Sequence, residues 1–281
     1  MKRLFLPLSS AILMLCSCAS EYNSVFKSSD NTYKYEFAKE CFANGQYSKA
    51  STILSGLVNF QKGSENAQEC LYMMAMTEFG NKDYEIASEI FKKYLTSYPR
   101  GVYAERAAFY FGEALYQSTP EARLDQSSTY TSITAFQNFL DVYHDSELKE
   151  LAQERLFELQ DKLVRKELYT AQLYYNLGSY FGNCTNGGSN YEAAVITAQN
   201  AIKDYPYSSM REDFYLIIMK SKFGLARQSV AAKRSERYRD AEDECYGFLN
   251  EFPESKNKDL AEHYISVCKK HAKGELVEDD Y

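Results

Sequence analysis

From Tyr33 onward the chain is periodic at helical spacing, and its period constrains the fold more than any other feature. Shifting the sequence against itself by about 37 residues aligns Ala38 with Ala75 and Gly112, so a small residue recurs where two helices would cross. The same shift aligns Ala50 with Ala87, Leu54 with Phe91, and Leu57 with Tyr94. Each unit reads as helix, short turn, helix, with the turn at Asn44-Gly45-Gln46-Tyr47 in the first and Asn81-Lys82-Asp83-Tyr84 in the second. A helical hairpin with small residues at its crossing points is the tetratricopeptide pattern. One such hairpin cannot bury its apolar face alone, so the units must stack.

Four aromatic residues punctuate the array: Tyr98-Pro99, Tyr143-His144, Tyr205-Pro206 and Phe252-Pro253 each close a second helix, and proline there cannot continue it. With a first unit ending near Lys62, the expected fold is all-α, a superhelical array of about five tetratricopeptide-like hairpins. Its concave side would be lined by first helices. Two insertions read as loops, Ser118 to Thr129 in the third unit and Phe181 to Asn190 in the fourth. The expected segments are 33–144 for repeats one to three, 145–272 for repeats four and five, and an acidic tail at 273–281.

Ahead of the repeats, Lys2 and Arg3 precede an apolar run ending at Leu15, the form of a secretory signal. Leu15-Cys16-Ser17-Cys18 then reads as a lipobox. A small residue must precede the acylated cysteine, and Ser17 before Cys18 meets that need where Leu15 before Cys16 does not. Residues 1–17 are therefore expected to be a signal peptide and Cys18 the lipidated first residue, holding the protein to a membrane. The polar stretch 18–32 reads as a tether.

Composition limits the function. The net charge is -7, and removal of Lys2 and Arg3 with the signal leaves 30 basic against 39 acidic residues, near -9. That balance excludes nucleic acid as the expected partner, because phosphate binding needs a basic face. The three histidines, His144, His263 and His271, form no evident base constellation with Ser, Cys or paired carboxylates, so no catalytic residue and no cofactor is expected. Gly187-Gly188 sits in an insertion and not between a strand and a helix, so it makes no phosphate loop. Cys268 and His271 are a single i, i+3 pair, short of the four ligands of a zinc site. Apart from the acylated Cys18, the mature chain carries five cysteines, Cys41, Cys70, Cys184, Cys245 and Cys268, so at least one is expected as a free thiol.

With 25 Tyr, 17 Phe and no Trp, the aromatic surface is unusual. The same 37-residue shift aligns Tyr35 with Tyr72 and Phe109, and Phe42 with Phe79 and Tyr116, all on first helices and all on one face within their unit. With Met76 between them, these residues either line a groove for extended peptides or pack between helices; the spacing allows both.

Three stretches carry a more specific signal than the period: Phe157-Glu158-Leu159-Gln160-Asp161-Lys162-Leu163-Val164-Arg165-Lys166-Glu167-Leu168 running into Ala171, Tyr174 and Tyr175; Asp204-Tyr205-Pro206-Tyr207; and Arg123-Leu124-Asp125-Gln126-Ser127-Ser128-Thr129. In these the chain resembles the outer-membrane assembly lipoproteins called BamD, in the form found in Bacteroidetes-type bacteria. The resemblance implies a non-catalytic outer-membrane lipoprotein that faces the periplasm. It also implies binding to the periplasmic domains of the barrel-inserting protein BamA and receipt of unfolded β-barrel proteins, for which the aromatic groove would serve. Ala19 and Ser20 after Cys18 carry no acidic sorting signal, in keeping with the outer membrane. Family members place an arginine near Arg211 against an acidic group of BamA. Arg211 is therefore expected at the partner contact of repeats four and five, the other reading being that it balances Glu212 and Asp213 at a helix start. A tetratricopeptide lipoprotein coordinating cell-envelope or peptidoglycan synthesis is the alternative function.

Overall fold

The computed structural model describes residues 22–60, 63–178, 180 and 189–272. The expected signal peptide, Cys18, most of the insertion 181–190, and the tail 273–281 lie outside them. After a short helical stretch at residues 22–27, eleven longer helices follow one another among the described residues: α1 (Asn31–Ala43), α2 (Tyr47–Leu57), α3 (Ala67–Gly80), α4 (Tyr84–Ser97), α5 (Ala104–Gln117), α6 (Ser127–Val142), α7 (Lys149–Leu177), α8 (Asn190–Asp204), α9 (Arg211–Arg227), α10 (Ala231–Glu251) and α11 (Lys258–Ala272). No strand interrupts them in the described residues. The all-α array of helical hairpins expected from the period is the architecture found.

The turns repeat down to single hydrogen bonds. In the first hairpin Gly45 donates to Phe42 O and Gln46 to Cys41 O; in the second Lys82 donates to Phe79 O and Asp83 to Glu78 O. Both pairs close the helix with one residue in the left-handed region, Gly45 at φ 69° and Lys82 at φ 68°. The aromatic punctuation is equally regular. Tyr98, Tyr143, Tyr205 and Phe252 each donate to the carbonyl four residues back, at Tyr94, Phe139, Ala201 and Phe248. Gly101, Ser146, Ser208 and Ser255 then donate back to those same aromatics, and the next helix opens three residues later. Proline follows three of the four aromatics because the position needs no N–H donor there.

The described residues form two compact units, one comprising those up to Pro120 with Asp125–Leu159, the other Glu121–Leu124 with those from Gln160 to Ala272. In the first unit the aligned positions are the core: Ala38, Ala50, Leu54, Ala75, Ala87, Phe91 and Tyr94 are all fully buried. A Cβ built at Gly112 would stand 3.0 Å from the Phe136 ring, so the small residue at that crossing is what admits the ring. Val58 and Met74 pack on both of the first two apolar clusters and Tyr110 on the second and third, which makes one continuous core. In the second unit Val164 and Ala171 of α7 pack with α8 and α9 around Phe214 and Ile218. A second region around Phe248, Ala261 and Cys268 joins α9, α10 and α11.

One sequence expectation is corrected. The segment 18–32 is not a tether throughout, because residues 22–27 are helical and Val25 is fully buried in the first core, with Tyr22 packed beside it. Tyr22, Val25 and Phe26 make only one turn of helical spacing, too short a run to give a periodic signal, so the docking was invisible in sequence. Asp30, also inside that segment, caps α1 by accepting from Thr32 and Tyr33 N–H at 2.9 and 3.1 Å. The fifth hairpin is followed by a further helix, α11, which covers the apolar face of α10 through Ala261, Ile265 and Cys268.

Candidate functional site

The seven groove residues are spread through the packing of the first unit. Tyr35 and Phe109 are each only 2% exposed, Tyr35 in the first core and Phe109 edge-on to Phe136 and Phe139. Neither can line a groove, and for these two the helix-packing alternative is the correct one. The cause is that both flanks of a first helix are covered in a stack, by its own partner helix and by the next hairpin. Phe42, Tyr72, Met76 and Phe79 are half-buried. Tyr72 stacks on Tyr103 at 4.6 Å and 7°, and Phe79 meets Tyr84 and Tyr110 edge-on, each at 5.3 Å. Burial, with Tyr110 nearby, pushes the Tyr72 phenol up to about 12.

Tyr116 belongs to a polar cluster that sequence reading missed. Its hydroxyl donates to Glu158, and the Arg155 guanidinium lies 4.7 Å from its ring centroid. Arg155 also donates to Glu113 at 3.0 Å and to Glu158 at 3.2 Å, while Gln117 donates to the other Glu113 oxygen at 2.8 Å. Glu113 is 7% exposed, and burial works against the Arg155 charge, yet the bond and field of Glu113 hold that guanidinium above its ordinary value. Burial and the Glu158 bond push the Tyr116 phenol up to about 12. The cluster ties α5 to α7 and satisfies its own charges, so it fastens helices and offers no group poised for chemistry. Arg155 and Glu113 are 42 residues apart, beyond any local pattern.

In the second unit Arg211 is the first residue of α9, after a turn built like the other three. Its guanidinium does not balance Glu212 and Asp213. It donates through Nε and Nη2 to Glu251 at 3.1 and 2.9 Å, through Nη1 to Pro206 O at 3.3 Å, and through Nη2 to the Tyr215 hydroxyl at 3.2 Å. Glu212 instead accepts from Ser255 Oγ at 2.6 Å, as Glu105 does from Ser146 in the first unit. Arg211 thus joins the start of α9 to the end of α10, and its side chain remains 29% exposed.

The four described cysteines are buried in cores. Burial pushes the Cys70 thiol up to about 11 and those of Cys245 and Cys268 to about 12, which suppresses the reactive thiolate. Cys18 and Cys184 lie outside the described residues. His271 stacks on Tyr238 at 4.2 Å and 5°, and His144 is exposed beside Asp145. Among the described residues no group of three or more metal-ligating side chains converges, and no helix is long and apolar enough to cross a membrane.

A search of curated proteins returns no match. A family model described as YfiO, outer membrane lipoprotein, matches residues 27–186, which is more than half of the chain.

Proposed function

We propose that this chain, which belongs to the YfiO family of outer membrane lipoproteins, works as a BamD-type scaffold of β-barrel assembly. In this reading acylated Cys18 anchors it, the helical units face the periplasm, the second unit docks the periplasmic domains of BamA, and unfolded outer-membrane proteins are held on the first. The observation that carries the reading is the family match over the hairpins of the first unit and α7. A scaffold also agrees with a charge cluster around Arg155 that is spent on fastening helices. Phe42, Tyr72, Met76 and Phe79, half-buried on first helices, are the remaining candidates for peptide contact.

Arg211 tests the docking. A partner carboxylate would compete with Glu251 for its guanidinium, so the two residues give opposite results when changed. Arg211→Ala is expected to weaken a pull-down with soluble BamA domains by at least about thirtyfold, the effect of removing one member of a buried charge pair worth about 2 kcal/mol or more. Glu251→Gln frees the guanidinium and is expected to keep or strengthen binding. If both variants weaken binding alike, Arg211 supports the hairpin only; if neither does, it leaves the interface. Cys18→Ser is expected to release the protein from membranes with its helical content intact, and a Ser variant still extracted only by detergent would refute the anchor.

A further inference from the structure

The loop that interrupts the third hairpin and the middle of α7 form one concave surface within the second unit. A cavity of about 400 Å³ opens there, lined by Arg123, Lys166, Tyr169, Thr170, Leu173 and Asn176. The volume lies within the roughly 300–1,000 Å³ range of ligand sites. Arg123, an exposed loop residue, is held with its guanidinium carbon 4.6 Å from the Tyr169 ring centroid. Lys166 sits one turn earlier than Tyr169 and Thr170 on the same helix face. Both charged side chains of the lining are cations, and no carboxylate belongs to it. In a chain of net charge -7 that is a local reversal of sign.

The apolar residues of this surface are left open to solvent. Leu173 is 56% exposed and Tyr169 38%, and Tyr169 lies one turn before Leu173 on α7. From Lys166 to Asn176 the lining follows about 15 Å of helix at 1.5 Å per residue. That length matches four to five residues of extended peptide at about 3.3 Å each. The cations stand at one end of it, and Leu173 and Asn176 at the other.

We propose that this surface binds an acidic peptide segment of a partner protein, with a carboxylate seated between Arg123 and Lys166 and an apolar side chain beyond it on Tyr169 and Leu173. Opposite charge selects the partner, and the exposed Leu173 with the Tyr169 ring gives it an apolar seat. A second copy of this acidic chain fits poorly by charge. The site does not involve Arg211 or its hairpin, so BamA docking through Arg211 and this contact can fail separately.

The test uses the full chain and a fluorescein-labelled hexapeptide, Ser-Asp-Glu-Leu-Phe-Ser, with a second peptide carrying Lys-Lys in place of Asp-Glu. Fluorescence anisotropy is expected to show binding of the acidic peptide only. The Arg123→Glu/Lys166→Glu double variant is expected to weaken that binding by at least about tenfold and to gain the basic peptide, a reversal that a merely structural role would not produce. Leu173→Ser is expected to weaken the acidic peptide without changing its salt dependence. Thermal unfolding of each variant is expected to stay cooperative and close to the parent, since Arg123 and Leu173 are exposed and Lys166 is only half-buried. Equal affinity for both peptides, or no loss in the double variant, overturns the proposal. So does binding to phosphatidylglycerol vesicles, or self-association in sedimentation, that the double variant abolishes while acidic peptide is not held.

Discussion

Tyr191 is wedged between two helices, and the glycines that admit it give a sharp test of how the second unit is packed. A Cβ built on Gly224 of α9 would lie 2.7, 2.9 and 3.0 Å from atoms of the Tyr191 ring, and one on Gly178 would come within 2.5 Å of it from the end of α7. The ring cannot retreat from one glycine without meeting the other, so Gly224→Ala forces backbone or rotamer strain. Overpacking of that kind costs about 1–3 kcal/mol, and the two-sided clamp places it in the upper half. Against it stands the gain of about 1 kcal/mol from replacing glycine by alanine inside a helix. The net expectation is a loss of about 1–2 kcal/mol, or a fall of roughly 2–8 °C in the unfolding midpoint for a unit of this size. Gly247, on the exposed face of α10 with nothing within 4 Å of its Cβ position, is the control. The same substitution there is expected to raise the midpoint by roughly 2–4 °C. Circular dichroism melts of both variants and of Gly224→Ala in a Tyr191→Ala background decide the matter. If Gly224→Ala stabilises as Gly247→Ala does, or costs as much without the Tyr191 ring, the wedge is wrong.

Two further outcomes follow from the buried groups. Arg155→Ala leaves the Glu113 carboxylate, 9% exposed at its side chain, without its guanidinium, and is expected to cost about 2–4 kcal/mol in urea unfolding. Arg155→Met with Glu113→Leu is expected to recover at least half of that loss, and a double variant as unstable as the single one would show that the pair acts by something other than compensated charge. The Cys245 and Cys268 thiols, ordinarily near 9.0, are pushed up to about 12 by burial. The neutral thiols of the folded state therefore keep their protons while the unfolded chain loses them, so stability is fully present below pH 9.0 and falls as pH rises towards about 12. Urea midpoints measured across that window are expected to drop steeply, and a Cys245→Ala/Cys268→Ala variant to drop less; an equal slope in both proteins would contradict the assignment.

The repeat was legible because it is written twice, as a spacing of small residues and as a turn chemistry. Ala38, Ala75 and Gly112 mark crossings, and the aromatic turn at Tyr98, Tyr143, Tyr205 and Phe252 has one hydrogen-bond pattern in all four places. What the period could not supply is which side of a first helix stays open. Tyr35, Tyr72 and Phe109 share a register, yet Tyr35 and Phe109 are in the core and Tyr72 is half-buried, because neighbouring hairpins close the two flanks differently. Contacts between distant residues were equally silent. Arg211 meets Glu251 forty residues away, not its neighbours Glu212 and Asp213, and Arg123 reaches Tyr169 from a loop with no period of its own. Val25 shows the same limit at the start of the chain, where one buried residue recruits a stretch whose composition reads as a linker.

If this family member is a scaffold of β-barrel assembly, the composition of the native complex extracted from membranes with mild detergent shows it most directly. The account predicts that the full-length chain brings down BamA in stoichiometric amount, and that Arg211→Ala does not. Recovery of the chain with cell-envelope or peptidoglycan synthesis proteins and without BamA would contradict it.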